Sequence, residues 1–218
     1  MISLDSRLKA AADLCRRGVT VCDVGTDHAL LACYLAQTGA KSVIASDVRE
    51  GPLEAARRTI MQQGVDNVAA VLSDGLDKID YADDVVIAGM GGELISRIIA
   101  GCRFLSEDTR FILQPMTKAD TLRRELCRSG FEIIKERTAK EGVRRYTVML
   151  VKYTGVKTEP DELFCMCGKI TDPDMLRSIS AKLRKNAAGM DRSDALPEQA
   201  QRLRSLAEQI DRYAEGLT

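Results

Sequence analysis

The sequence predicts an α/β protein: a seven-stranded, mostly parallel sheet followed by a small C-terminal helical pair. Three observations predict it. Short, uniformly apolar runs alternate with helical patterns over most of the first 130 residues, as expected of strands buried on both faces of a parallel sheet. The last two apolar runs, 131–134 and 146–153, are joined by polar residues with no helical pattern, so they read as a hairpin with one antiparallel strand. Beyond Tyr153 the composition shifts to polar segments with apolar residues at helical spacing.

Leu4, Leu8, Ala11, Ala12 and Cys15 give a first helix ending at Gly18. Residues 19–24 read as the first strand, and a helix over 28–37 ends at Gly39. The second strand covers 42–46, and Pro52, tolerated in a first helical turn, lies in a helix that runs to Gly64. Strands follow at 68–72 and 84–88, the latter leading into Gly89-Met90-Gly91-Gly92 and a helix to Gly101. The fifth strand, 110–113, is stopped by Gln114-Pro115, and a helix over 118–129 ends at Gly130. Residues 154–160 look like a connector. Two further helices are predicted at 174–188 and 196–215, turning over 189–194 and packing antiparallel. The expected domains are thus 1–155 and 156–218. Seven strands in this order suggest the class I methyltransferase variant of the Rossmann-like, doubly wound fold.

The 218 residues carry 32 basic and 32 acidic side chains and one His. Zero net charge argues against a whole-molecule electrostatic nucleic-acid binder. With 45% apolar residues and no long charge block, the chain is no disordered tail. Seven cysteines lie mostly inside apolar runs, so no disulfide framework is expected. The pair Cys165 and Cys167 lacks the further ligands zinc needs, and no metal is expected. The N-terminal residues show no signal segment, and no stretch approaches a membrane span. These features lead us to expect a cytoplasmic protein without a membrane partner, with a monomer favoured. Regionally the neutrality breaks: residues 1–117 are net −4, 118–152 net +5, and 153–218 net −1. Lys135, Arg137, Lys140, Arg144 and Arg145 surround the hairpin. They form either a phosphate-binding surface or a solvated edge guarded by charge.

Ligands of open α/β sheets lie beyond the carboxyl ends of the strands, so chemistry is sought there. The first strand ends in Asp23-Val24-Gly25-Thr26-Asp27-His28. One glycine is not a dinucleotide fingerprint, and NAD or FAD is not expected. Asp47 follows Gly25 by 22 residues, where an acid commonly holds ribose hydroxyls, though it also suits a helix cap. Asp74-Gly75 after the third strand suits an adenine ring, or a plain turn. Gly89, Gly91 and Gly92 suggest close approach of a ligand to bare backbone. No Asn/Asp-Pro-Pro-aromatic tetrapeptide and no cysteine nucleophile pair is present, so methylation at a ring nitrogen or an oxygen fits better than at an exocyclic amine or a pyrimidine carbon.

The segments ADLC, VCDVGTDHALLACYL, IASDVREGPLEAA, SDGL, VIAGMGGELI and ILQPM, then LRREL and the hairpin, resemble the bacterial tRNA (adenine-22-N1)-methyltransferases over residues 1–153. The helical pair resembles that family's coiled-coil appendage in pattern. The resemblance implies S-adenosylmethionine as cofactor and tRNA as partner. It assigns Asp23, Gly25, Asp47, Val48, Asp74, Gly75, Ala88 and Gly89 to the cofactor. Within that set Gly25 lines the methionine part, Asp47 the ribose, Asp74 and Gly75 the adenine, and Ala88 and Gly89 the sulfonium. Asp27, His28, Gly91, Gly92, Gln114 and Pro115 would face the target base. Met116 stands where the family is expected to carry Asn, which leaves a base contact there open. Asp27 would accept a hydrogen bond from the exocyclic amine as the ring becomes cationic. Tyr146 either stacks on the base or packs in its strand. Two alternatives are a methyltransferase for a small molecule or protein, and a non-catalytic module whose helical pair docks a partner.

Overall fold

The computed structural model describes residues 2–191 and 197–217. Its sheet runs in the order β3-β2-β1-β4-β5-β7-β6. The strands are β1 (Thr20–Val24), β2 (Ser42–Asp47), β3 (Val68–Leu72), β4 (Asp84–Gly91), β5 (Arg110–Thr117), β6 (Phe131–Glu141) and β7 (Arg144–Tyr153). β1 to β5 are parallel, and β7 alone runs against its neighbours β5 and β6. This is the class I methyltransferase arrangement. On one face lie α1 (Ser6–Ala12), α2 (Leu30–Gln37) and α3 (Glu50–Gln63), and on the other α4 (Gly92–Ala100) and α5 (Ala119–Arg128). Alternation explains why the strands read as uniformly apolar. Val85, Ile87, Phe111 and Leu113 enter the core beneath α4 and α5, while Val86 and Ile112 enter the core beneath α1 and α2.

Three strands run further than their apolar runs. β5 continues through Gln114-Pro115 to Thr117, because its pairing with β7 ends at Leu113. Beyond that point Pro115 lacks only a donor that no strand awaits. β4 likewise extends to Gly91 through two register shifts. The polar stretch after residue 134 is strand too: β6 and β7 pair from Glu141↔Arg144 inward, around Gly142 and Val143. Polar residues alternate there because the hairpin tip projects beyond the core.

The connector holds a short helix without a periodic signature, α6 (Glu162–Cys167), capped by the Asp161 carboxylate accepting from the Phe164 amide at 2.7 Å. Next come α7 (Pro173–Asp191) and α8 (Pro197–Glu215). α7 extends past the expected end of its helix, taking in Gly189; residues 192–194 of the expected turn lie outside the described residues. The two helices share their own apolar core, including Leu176, Leu183, Leu206 and Ile210. Asp211 accepts from Ser180 and pairs with Arg184 at 2.6 Å.

A buried fork joins this pair to the sheet. Arg123 of α5 donates to both oxygens of Glu136 on β6, Nε at 2.9 Å and Nη2 at 2.7 Å, with the two side chains 2% and 0% exposed. Its Nη1 donates to the carbonyls of Cys165 and Met166, while Glu136 also accepts from the Thr147 hydroxyl and the Lys169 amide. Every polar atom of the fork is thus partnered, the condition under which two charges tolerate burial. Gly168 crosses it at φ 53°, ψ −130°, and a Cβ there would fall 1.8 Å from Glu136 Oε1. Cys165 and Cys167 are buried in the same turn, and burial pushes the Cys167 thiol up to about 11. Among the described residues no group of three or more His, Cys, Asp or Glu is placed to hold a metal, and no helix is long and apolar enough to cross a membrane.

Replacing Glu136 by Ala strands the Arg123 charge. The expected cost is ~3–5 kcal/mol in urea unfolding; a loss below ~1 kcal/mol would show that the fork is not an anchor.

Candidate active site

Two cavities adjoin at the carboxyl ends of β1, β2 and β4. The larger, of about 350 Å³, is lined by Gly25, Asp27, Asp47, Val48, Asp74, Gly75, Ala88 and Gly89 among others. The smaller, of about 260 Å³, shares Gly25, Asp27, Ala88 and Gly89 and adds Arg7, Asp23, Thr26 and His28. The loop after β1 separates them. It is pinned where the amides of Gly25 and Thr26 donate to the Ser46 carbonyl at 2.8 and 2.9 Å.

Each acid has a distinct setting. Asp23 is buried and accepts from the Thr26 hydroxyl at 2.7 Å. Burial pushes its carboxyl from the ordinary 3.8 up to about 6; the Thr26 bond opposes the rise and the charge of Asp47 adds to it. Asp47, at the end of β2, accepts the Arg49 amide through Oδ1 at 3.0 Å. Asp74 is exposed in a turn closed by the Asp77 amide on its carbonyl, and Ser73 bonds both Gly75 and Lys78 beneath it. The Asp-Gly pair is therefore both a turn and a cavity wall.

Asp27 takes φ 51° and Ala29 φ 55°. Left-handed conformations at non-glycine residues cost about 1–3 kcal/mol each and persist where surrounding structure imposes them. Here they lift Asp27 and His28 out of the chain, with side chains 68% and 62% exposed and His28 Nε2 3.7 Å from Asp27 Oδ2. α2 begins only at Leu30, so His28 belongs to the loop and not to the helix. Asp27 stands at the junction, lining both cavities.

Four residues expected to face the base lie away from both cavities. A Cβ on buried Gly92 would fall 2.2 Å from the Lys118 carbonyl, so this glycine serves the packing of α4 on the start of α5. Gly91 lies against the Thr117 hydroxyl. Gln114 is buried with both ends engaged: Oε1 accepts from Arg7 Nη1 at 2.8 Å and from the Gly89 amide at 3.1 Å, and Nε2 donates to the Pro115 carbonyl at 3.0 Å. Pro115 and Met116 line a different space, a cleft of about 650 Å³ between the end of β5, the hairpin and α7.

The basic hairpin is also not one patch. By alternation Lys135, Arg137, Arg144 and Tyr146 share one face, with Lys140 and Arg145 opposite each other on the second. Arg145 pairs with Asp174 at 2.7 Å and Asp172 at 3.7 Å, tying the hairpin to α7. Tyr146 is half-buried and lines the large cleft, not the small cavity. Residues that the strand-end logic missed are Arg7, Arg49, Met90 and Arg97. Arg7 and Arg97 come from helices, and nothing at a strand end signals them.

The Methyltransferase domain family model matches residues 4–149. The tRNA (adenine(22)-N(1))-methyltransferase of Bacillus subtilis is 30% identical over 219 residues, covering 98% of this chain and 88% of that protein. The ribosomal protein L11 methyltransferase of Anoxybacillus flavithermus is 31% identical but covers only 62% of this chain and 45% of that protein. The crystal structure of the B. subtilis M1A22 tRNA methyltransferase superposes with TM-score 0.79 at 25% identity, covering 100% of this chain and 99% of that one. A Streptococcus pneumoniae protein solved in complex with S-adenosyl-L-methionine gives TM-score 0.79 at 27% identity, covering 97% and 100%.

Asp23 yields a prediction about pH. Because its folded pKa is raised, its contribution to stability is present below about pH 4 and lost as pH rises through about 6. Asp23→Asn should therefore be more stable than the wild type at pH 8, by at most about 3 kcal/mol in urea unfolding, with the gap closing near pH 4. A gap independent of pH would refute this.

Proposed function

The chain belongs to the tRNA (adenine(22)-N(1))-methyltransferase family, and from that membership we infer how its residues serve the reaction, transfer of a methyl group from S-adenosylmethionine to N1 of adenine 22 in tRNA. One observation carries the assignment of roles: two cavities that meet at Asp27 and share Gly25, Ala88 and Gly89. A methyl donor and its acceptor must touch across such a boundary.

The larger cavity suits the cofactor, although Asp23, expected to serve it, lines only the smaller one. Gly25, Gly75 and Gly89 all take positive φ and bring bare backbone to its wall. Asp47, only 8% exposed at the end of β2, offers a carboxylate to ribose hydroxyls. Asp74 and Gly75 flank the place for an adenine ring, with Ile98 behind Gly75. S-adenosylmethionine, when bound, supplies an electrophilic methyl group. Everything else is the protein's task.

The smaller cavity takes the target adenine, which must be unstacked to reach it. N1 carries an in-plane lone pair and needs no strong base. The protein instead stabilises the charge that develops on the ring. Asp27, presented on a strained loop, accepts from the exocyclic amine, and that bond strengthens as the ring becomes cationic. His28 beside it completes the rim. Gln114 acts at one remove, holding the Gly89 amide and Arg7 in place. Lys135, Arg137, Lys140 and Arg144, which make no ion pair among the described residues, are available to tRNA phosphates. Action as a monomer belongs to the same reading, and a tRNA substrate supports the cytoplasm as its place.

Incubation with labelled S-adenosylmethionine and unmodified tRNA should label N1 of adenine 22; label on another nucleotide or on none would overturn the reading. Asp27→Asn should lower kcat by about tenfold or more, ~1.4 kcal/mol, with cofactor affinity retained. Full activity in that variant would remove Asp27 from the mechanism.

A further inference from the structure

Among the described residues Arg7 is the one lysine or arginine that lines the small cavity, and neither the reaction as described nor the cofactor employs it. It reaches there from α1, a helix capped by Asp5. Two bonds fix its guanidinium: Nη1 donates to Gln114 Oε1 at 2.8 Å and Nη2 to Asp5 Oδ2 at 3.1 Å. A guanidinium has five N–H donors, so three remain, on a side chain 20% exposed. Nη1 lies 3.3 Å from where a Cβ of Gly89 would stand, so the bare glycine is what admits it to the cavity wall.

A fixed cation at the wall of an adenine pocket has a particular meaning. Methylation at N1 makes the base positive, so a guanidinium aimed at the ring would oppose the reaction. An anion beside the base is a better partner, and each nucleotide carries one on its backbone. We propose that Arg7 binds a phosphate flanking the target nucleotide, and so holds the flipped base against Asp27. The proposal rests on the tRNA methyltransferase reading above. Location supports it further: Ser6, the residue before Arg7, bonds Glu141 and the Lys140 carbonyl at the hairpin tip. Glu141 pairs in register with Arg144, so the residue next to Arg7 abuts the face of the hairpin tip that carries Arg144, a second cation for an RNA backbone that leaves the cavity. The methionine carboxylate of the cofactor is the other anion within the same chemistry. Arg7 does not line the larger cavity, and the proposal commits to the phosphate.

The test uses the full chain with Arg7→Gln and Arg7→Lys. Gln retains a donor for Gln114 but no charge, whereas Lys retains the charge. Arg7→Gln should raise the KM for tRNA about tenfold and reduce the slope of log affinity against log salt by about one, with S-adenosylmethionine affinity unchanged. Arg7→Lys should recover much of the loss. A tRNA bearing a neutral methylphosphonate at a phosphate flanking adenine 22 should impair the wild type and leave Arg7→Gln no worse. An unchanged KM and salt slope in Arg7→Gln would overturn the proposal. So would a loss confined to cofactor affinity, which would assign Arg7 to the methionine carboxylate, or equal losses with a lowered Tm in both variants, which would make it structural. No methyl transfer by the wild type to any tRNA would instead defeat the underlying reading.

Discussion

A single buried amide, that of Gln114, holds the active end of this molecule together. Its oxygen accepts from Arg7 at the N-terminal helix and from the Gly89 amide at the end of β4, and its nitrogen is spent on the Pro115 carbonyl. Three segments that are remote in the chain are thereby locked in one place. Gly89 is a wall common to both cavities, and Arg7 walls the smaller one. An amide can do this where a carboxylate cannot, because it donates and accepts at once without adding charge. Buried as Gln114 is, a carboxylate in its place would also carry the cost of burying a charge.

The second organising bond lies on the far side of β5. The Arg123–Glu136 fork binds α5, β6, β7 and the α6 turn in one network. Through it the helical pair is held against the sheet, and the large cleft forms between α7 and the hairpin. Arg145 reinforces the arrangement through Asp172 and Asp174. Part of the net charge of +5 in residues 118–152 is thus internal: Arg123 is consumed in the core and Arg145 at the joint. The cations left for a polyanion are fewer, and they lie on two faces of the hairpin.

Short, uniformly apolar runs and period-3.6 patterns make the sheet and its flanking helices legible, because both cores demand apolar residues wherever a strand or helix touches them. The strand-end rule located Gly25, Asp27, Asp47, Asp74 and Gly89 at the cavities for a reason of geometry, since parallel strands deliver their loops to one edge. What stayed hidden was non-local or conformational. Gln114 and Arg7 meet across 107 residues. The left-handed turns at Asp27 and Ala29 have no signature in residue type. Gly92 looks like a ligand contact in the sequence, whereas in the structure the neighbouring Lys118 carbonyl requires it. The six-residue α6 is too short to show a period, and β6 reads as loop because its tip leaves the core.

The central claim is that adenine 22 is methylated in the small cavity beside Asp27, and not in the larger and more conspicuous cleft under α7. A structure of this protein with S-adenosylhomocysteine and its tRNA decides it most directly. The account predicts adenine 22 flipped out, its amine on the Asp27 carboxylate and N1 facing the cofactor sulfur across the boundary at Gly25 and Gly89. A target base lodged between Tyr146 and α7, with the small cavity empty, would contradict it.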